Sequence, residues 1–258
     1  MSLPLDAKGS GPIRLVTFDL YDTLIEMDPP RWVRLQNAAN RLEMPTDLHA
    51  LRVADRVAED FYTEENGARP IRDRSAEERE DFRLDHLARW LDVAHIPYDD
   101  AILKALRQAY VDEFSAEVTQ ANYRVFADVA PALLKLEDAG IKRAIISNAD
   151  ADVTELCTHL NFAHHMDAII TSALIGWEKP DSRTFYAALD HPLIDVAPAD
   201  AIHIGDQPSS DVAGAIAVGM RAALIDRYDR HTDDEHPAIR VSSLPELADL
   251  VIAHNQQS

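Results

Sequence analysis

The run Leu15-Val16-Thr17-Phe18-Asp19 constrains this chain more than any other segment. Apolar and β-branched residues lead straight into a carboxylate, and the turn-prone Tyr21-Asp22-Thr23 follows. A strand buried on both faces reads as such an unalternating run, which belongs to parallel sheets covered by helices. Open α/β sheets bind ligands at the carboxyl ends of their strands, so Asp19 stands where chemistry is done. Apolar strands ending in Asp are common, and three later signals give this one its meaning. They are Ser147 at the end of a second such run, Lys179 before Pro180, and Gly205-Asp206 with Asp211 five residues on.

Periodicity divides the chain in two. From about Pro30 to Phe114 the spacing is helical: Trp32, Leu35, Ala38 and Leu42, then Leu51, Ala54, Val57 and Phe61. Ser75 with Glu78 predicts a capping box ahead of Leu84, Leu87, Leu91 and Ala94. Asp99 caps a helix bearing Ile102, Leu106, Tyr110 and Phe114, and residues 66–71 read as a loop. After about Asn122, helices predicted at 128–139, 151–160, 181–190, 210–218 and 245–254 alternate with strands at 142–147, 167–171, 200–204 and 221–225. Gly140 suits the position just past a helix end.

The fold class is therefore α/β: a Rossmann-like, doubly wound parallel sheet with an inserted α-helical cap. The core is expected over 13–27 and 120–258, the cap over 28–119, and a flexible N-terminus over 1–12.

Composition narrows the function. A formal charge of −20 opposes general affinity for nucleic acid or an anionic membrane surface. No apolar stretch approaches the roughly 20 residues that span a bilayer, and Met1 to Pro12 lacks the apolar core of a secretory signal. A single cysteine, Cys157, provides no internal disulfide and reads as a small buried hydrophobe in a helix. The expectation is a cytoplasmic protein, monomer or homodimer, with neither a nucleic-acid nor a membrane partner.

Taken together, in order and spacing, the four segments resemble the four motifs of the haloacid dehalogenase superfamily of hydrolases, most of which are phosphatases. The resemblance runs from residue 13 to about 250, and the helical insertion is similar to that family's C1-type cap. It implies a small phosphorylated substrate, Mg²⁺ as cofactor, and a metal contact from the backbone carbonyl of Tyr21.

The residue types support that chemistry. Phosphate esters repel nucleophiles, so catalysis needs charge neutralisation and a placed attacker. Asp19 serves as nucleophile through an aspartyl-phosphate intermediate. Asp206 is the second metal carboxylate, and Asp211 supplies a further ligand or supports the others; hard oxygens suit Mg²⁺. Ser147 donates to a phosphoryl oxygen, with Asn148 beside it at the substrate. Lys179 neutralises nucleophile and transferring group as a point charge, and Thr23 orders the turn holding Asp19. Taken singly, Ser147-Asn148 would read more simply as a helix N-cap, Lys179-Pro180 as a surface turn, and Asp206 and Asp211 as a helix-start carboxylate and a surface charge.

One position departs from the family pattern. Phosphatases of this superfamily carry a second aspartate two residues after the nucleophile, as general acid; here that residue is Tyr21, and Asp22 lies one further on. A tyrosine there resembles the dehalogenase branch, whereas Asp206 is the carboxylate that branch replaces. The alternatives are a metal-independent 2-haloacid dehalogenase and a catalytically weakened phosphate-binding protein. Arg31 or Arg34 is expected to meet substrate. Arg69, Arg72 and Arg74 read more simply as helix-start partners of Glu77, Glu78 and Glu80. His164-His165 do not make a zinc site, His203 reads as a hydrogen-bonded packing residue, and 227–237 as an exposed loop.

Overall fold

The computed structural model describes residues 11–114, 122–228, 231 and 238–257. The expected flexible terminus therefore lies, over residues 1–10, outside the described residues. Two compact units result: one takes the chain up to Glu26 and from Val125 onward, the other Met27–Arg124. β2 (Ile25–Met27) pairs with β3 (Tyr123–Val125), and the division falls within both strands, after Glu26 and after Arg124.

In the first unit, β1 (Leu15–Phe18), β4 (Lys142–Ser147), β5 (Ala168–Thr171), β6 (Ala201–Gly205), β7 (Arg221–Ile225) and β8 (Ile239–Val241) form one sheet. Its order is β5-β4-β1-β6-β7-β8 with parallel pairing throughout. β1 sits between β4 and β6, where the winding reverses, and the crevice beyond its carboxyl end is the expected ligand position. All four residues of β1 are buried, as its unalternating sequence requires.

Helices α5 (Val129–Asp138) and α10 (Leu244–Asn255) pack on each other. α8 (Ser182–Leu189) packs on β4, β5 and α9 (Ala213–Ala217). Leu15, Ile146, Phe185, Ala188, Val212, Ala215 and Leu224 belong to the core on the α8 side. Strand alternation puts Thr17 and Asp19 on that same side as Leu15. A methyl on Gly214 would stand 2.7 Å from the Phe185 ring and 3.1 Å from the Pro180 Cα. Only a glycine lets α9 approach the segment carrying Lys179 so closely.

Local signals place several boundaries. Gly140 follows the end of α5 with φ at 70°. The helix expected over 151–160 begins later, as α6 (Thr154–His159), because Asp152 turns back to accept from the Thr154 amide at 2.9 Å. The helix expected over 210–218 opens as a π-turn, Pro208–Val212. The Asp211 and Val212 amides both donate to the Gln207 carbonyl, which widens that turn. α7 (Ser172–Ile175), β2, β3 and β8 are too short to leave a periodic signal.

The second unit is helical: α1 (Arg31–Arg41), α2 (Leu48–Ala68), α3 (Ala76–Val93) and α4 (Asp100–Val111). The Ser75–Glu78 capping box and the Asp99 cap on the Ile102 amide are both present. The buried stripe of α3 is Phe82, Leu87, Trp90 and Leu91, with Leu84 only partly covered. The Trp90 indole donates to the Leu51 carbonyl at 2.7 Å, which pulls the two aromatics inward and turns Leu84 aside. Val57, Leu42 and Ile102 are exposed, while Ala58 takes the inward place on α2. Among the described residues no helix is long and apolar enough to cross a membrane.

Candidate active site

Asp19 follows β1 directly, and its amide donates to the Ile204 carbonyl of β6 at 2.8 Å. That bond continues the β1–β6 ladder one residue beyond Phe18 and fixes the backbone of the carboxylate. Behind it the chain doubles back: Leu24 and Ile25 amides donate to the Leu20 carbonyl, and the Asp22 amide donates to the Ile25 carbonyl at 2.7 Å. Asp22 takes φ of 58°, a left-handed turn position open to aspartate.

Lys179, itself buried, donates to Asp19 Oδ1 and to Asp211 Oδ1, each at 2.6 Å. Asp211 reaches back to the sheet from the π-turn. The Gln207 amide donates to its Oδ2 at 2.9 Å, and His203 Nε2 lies 3.1 Å from its Oδ1. Gly205 makes room for it, since a Cβ there would meet Asp211 Oδ2 at 2.1 Å. Oxygens of Asp19, Asp206 and Asp211 all lie within 4.8 Å of one another. The structure thus brings together Asp19 and Asp206 from two strand ends, Lys179 from the segment between α7 and α8, and Asp211 from the π-turn.

The electrostatics follow from burial and charge count. Burial, reinforced by the Asp211 charge, pushes the Asp19 carboxyl up to about 7 against the pull of Lys179. Burial also opposes ionisation of Asp211, but the Lys179 charge and the His203 hydrogen bond outweigh it and hold that group below the usual carboxylate range. The Lys179 ammonium is likewise desolvated, yet Asp19 and Asp211 keep its pKa above the ordinary lysine value. Desolvation lowers that of His203, with Lys179 adding to the effect and Asp211 opposing it. Three buried carboxylates face one ammonium, an excess of negative charge whose hard oxygen donors fit a small divalent cation.

The other expected residues divide. Ser147 ends β4 with its hydroxyl buried and without a hydrogen-bond partner among the described residues. A donor in that position is available to a ligand oxygen. Asn148, expected at the substrate, is engaged with the Lys179 backbone: its Nδ2 donates to the carbonyl at 2.9 Å and its Oδ1 accepts from the amide at 2.7 Å. The buried Thr23 hydroxyl has no hydrogen-bond partner among the described residues; the Thr23 carbonyl accepts from Arg227 at 2.7 and 3.0 Å. The turn is therefore ordered through the Thr23 backbone, not its side chain. Tyr21, half-buried, bridges backbone to Ile25 in the same turn.

The Arg31 guanidinium forms two hydrogen bonds to the buried Asp55, at 3.1 and 3.2 Å, with Glu59 at 3.4 Å. Arg34 is buried and donates to the carbonyls of Asp28, Pro29 and Glu113. Both therefore tie the helical unit together. Arg69 pairs with Glu78 at 2.7 Å, as a helix-start partner does.

Two residues escaped the sequence reading. Arg227 holds Thr23, pairs with Asp128 at 3.0 Å and stacks 3.8 Å from the Phe126 ring centroid. His231 Nε2 lies 2.9 Å from the Asp206 carbonyl. Both fall in the segment expected to be an exposed loop, yet each is largely buried; residues 229–230 and 232–237 lie outside the described residues. No residue pattern announced either one, since their partners are distant in sequence.

A parallel α/β core with two acids at its strand ends, joined by a lysine and a third acid from nearby turns, defines a class of hydrolase. The sequence pattern of the haloacid dehalogenase-like hydrolases matches residues 13–219, and the chain belongs to that family. It is 29% identical over 248 residues to the haloacid dehalogenase-like hydrolase domain-containing protein 3 of Mus musculus, covering 93% of each chain. It is 34% identical over 128 residues to a phosphoserine phosphatase of Thermus thermophilus, covering 49% of this chain and 51% of that one. Among solved structures, a HAD-hydrolase from Bacillus subtilis bound to magnesium aligns at a TM-score of 0.65 and 14% identity, covering 93% of this chain and 99% of that one. Dehalogenases match as well.

Proposed function

We propose that this protein is a Mg²⁺-dependent phosphatase that hydrolyses small-molecule phosphate monoesters by way of a phosphoryl group carried on Asp19. The observation supporting this most is the convergence of Asp19, Asp206 and Asp211 within 4.8 Å beside the Lys179 ammonium. A 2-haloacid is itself a carboxylate and would be repelled by two further acids at the nucleophile. The same acids favour a divalent cation.

Asp19 and Asp206 would hold the ion, together with the Tyr21 carbonyl by family pattern. Asp211 is already engaged by Lys179, His203 and the Gln207 amide, so it steadies the set. Bound there, Mg²⁺ supplies positive charge to the phosphoryl oxygens.

An Asp19 carboxylate oxygen attacks phosphorus, and the bond to the leaving oxygen breaks with its electron pair. Lys179 neutralises the carboxylate before attack and the transferring group during it. The Ser147 hydroxyl donates to a phosphoryl oxygen. Water then cleaves the acyl phosphate, releasing inorganic phosphate and restoring the carboxylate. Tyr21 stands where a general acid would, and a phenol of ordinary pKa near 10 is a poor proton donor at neutral pH. Aryl and acyl phosphates, whose leaving groups need no proton, are the favoured substrates.

The test is a panel of alkyl, aryl and acyl phosphates and 2-haloacids, run with and without Mg²⁺ on the parent and on Asp19→Asn. Mg²⁺-dependent phosphate release, fastest on aryl and acyl esters and lost in Asp19→Asn, is expected. Halide release that persists in excess chelator, or phosphate release surviving Asp19→Asn, would overturn the reading.

A further inference from the structure

We propose that His203, itself held by Thr17, is a positioning residue that sets the Asp211 carboxylate and, through it, the Lys179 ammonium beside Asp19. The proposal rests on the phosphatase reading for its kinetic consequence but not for its geometry.

The residues lie in one buried row. Thr17 and His203 are register partners on β1 and β6, and Thr17 Oγ1 lies 2.8 Å from His203 Nδ1. His203 Nε2 lies 3.1 Å from Asp211 Oδ1, the same oxygen that accepts from Lys179 at 2.6 Å. Lys179 in turn reaches Asp19 at 2.6 Å. Thr17, His203, Asp211 and Lys179 are all buried.

Donor logic orients the row. A carboxylate only accepts, so His203 Nε2 carries a proton and donates to Asp211. In the neutral imidazole Nδ1 then accepts, and the Thr17 hydroxyl, which also lies 3.5 Å from the Ile202 carbonyl, gives its proton to the nearer Nδ1. Without Thr17 the other tautomer would present a bare Nε2 lone pair to the carboxylate, which repels it. The Phe185 ring stands edge-on to the imidazole at 5.3 Å and closes its remaining side.

Packing alone does not call for this residue. Ile202 and Ile204 flank it in a fully buried strand, where an aliphatic side chain would fill the space without two polar nitrogens to satisfy. What an aliphatic residue lacks is a donor aimed at Asp211 Oδ1. Lys179 would then lean on an anion that has lost one of its two donors besides Lys179 among the described residues, keeping the Gln207 amide at its other oxygen.

The experiment combines kinetics with imidazole ¹⁵N–¹H spectroscopy on the full chain. Variants H203L, H203Q, T17V and T17S are assayed on an aryl phosphate with Mg²⁺, and the His203 signals are assigned by their loss in H203Q. Expected are a kcat loss of about 10–100-fold in H203L with little change in KM, and partial recovery in H203Q, whose amide still donates. T17V should lose part of the rate and T17S regain it, and the parent spectrum should show the Nε2–H tautomer without added metal. A folded H203L at parental kcat, or a spectrum with the proton on Nδ1 alone, would overturn the proposal. Should H203L fail to fold, T17V and T17S decide: both at parental rate overturns it. A parent that releases no phosphate from any ester defeats the phosphatase reading instead, while the tautomer still decides the placement of His203.

Discussion

Asn148 and Lys179 are joined by reciprocal hydrogen bonds, the asparagine amide taking both the backbone N–H and the backbone C=O of the lysine. One planar side chain thereby copies a strand ladder and fixes the residue whose ammonium meets Asp19 and Asp211. Ser147 ends β4 immediately before it, so the hydroxyl donor and the lysine anchor share one rigid strand end.

Removing that anchor should cost rate more than binding. Asn148→Ala is expected to lower kcat on an aryl phosphate by about 10²-fold, the penalty of roughly 1 Å of misplacement. Asn148→Asp should fare no better, because its second oxygen would face the Lys179 carbonyl. Steady-state kinetics on both variants check this; parental kcat in either would show that the lysine is held by other means.

Gly205 offers a steric counterpart. A methyl there would sit 2.1 Å from Asp211 Oδ2 and 2.2 Å from its Cγ, so the carboxylate must move. Gly205→Ala should lose most of its activity and be destabilised by about 1–3 kcal/mol, as overpacked sites are. A thermal melt should place Tm several degrees lower, at roughly 2–4 °C per kcal/mol for a chain of this size.

The parts of this architecture that could be read from sequence are those set by nearby residues. The unalternating run of β1, the Ser75–Glu78 capping box, the Asp99 cap and Gly140 past α5 each depend on residues within a few positions. What escaped depends on distant partners. Arg227 meets Thr23 across 204 residues of sequence, and no local pattern encodes that. Asn148 was visible as a polar residue at a strand end, but whether it turns to a ligand or to Lys179 is decided by where residue 179 arrives. Arg31 looked open because Asp55 lies a helix away. On α3 the Trp90 hydrogen bond to Leu51 chose which apolar stripe faced inward. The placement of Asp19 was legible because a carboxylate closing a buried strand is conspicuous; its supporting contacts were not.

Cys157 supplies a pH-dependent test away from the site. It is buried in α6, and burial, with the Asp152 charge adding, pushes its thiol up to about 12. The thiolate is the reactive form, so alkylation of the native protein at pH 8 should be at least about 100-fold slower than in urea, where the thiol regains a pKa near 8.5. The linkage sign follows. Above about pH 8.5 the unfolded thiol ionises while the native one keeps its proton, so this group's contribution to stability falls as pH rises. Alkylation rates alike in native buffer and urea would contradict the burial of Cys157.

Tyr21 carries the last expectation. It lies two residues beyond Asp19 in the turn closed by the Asp22–Ile25 and Leu24–Leu20 hydrogen bonds. Asp22 does not stand in its place, because its φ of 58° sends that residue through a left-handed turn and successive positions point apart. Under the phosphatase reading the leaving oxygen therefore departs without a proton from a well-matched acid. Positioned acids contribute about 10²–10⁴-fold where the leaving group is poor and little where it is good. Tyr21→Asp should accordingly raise kcat/KM on alkyl phosphates by at least about tenfold while changing aryl and acyl phosphates little. The measurement is the ratio of alkyl to aryl kcat/KM in parent and variant at pH 6–7. A ratio that stays put would mean that Tyr21 has a role other than a vacated acid's place, as would a parent already indifferent to leaving-group basicity.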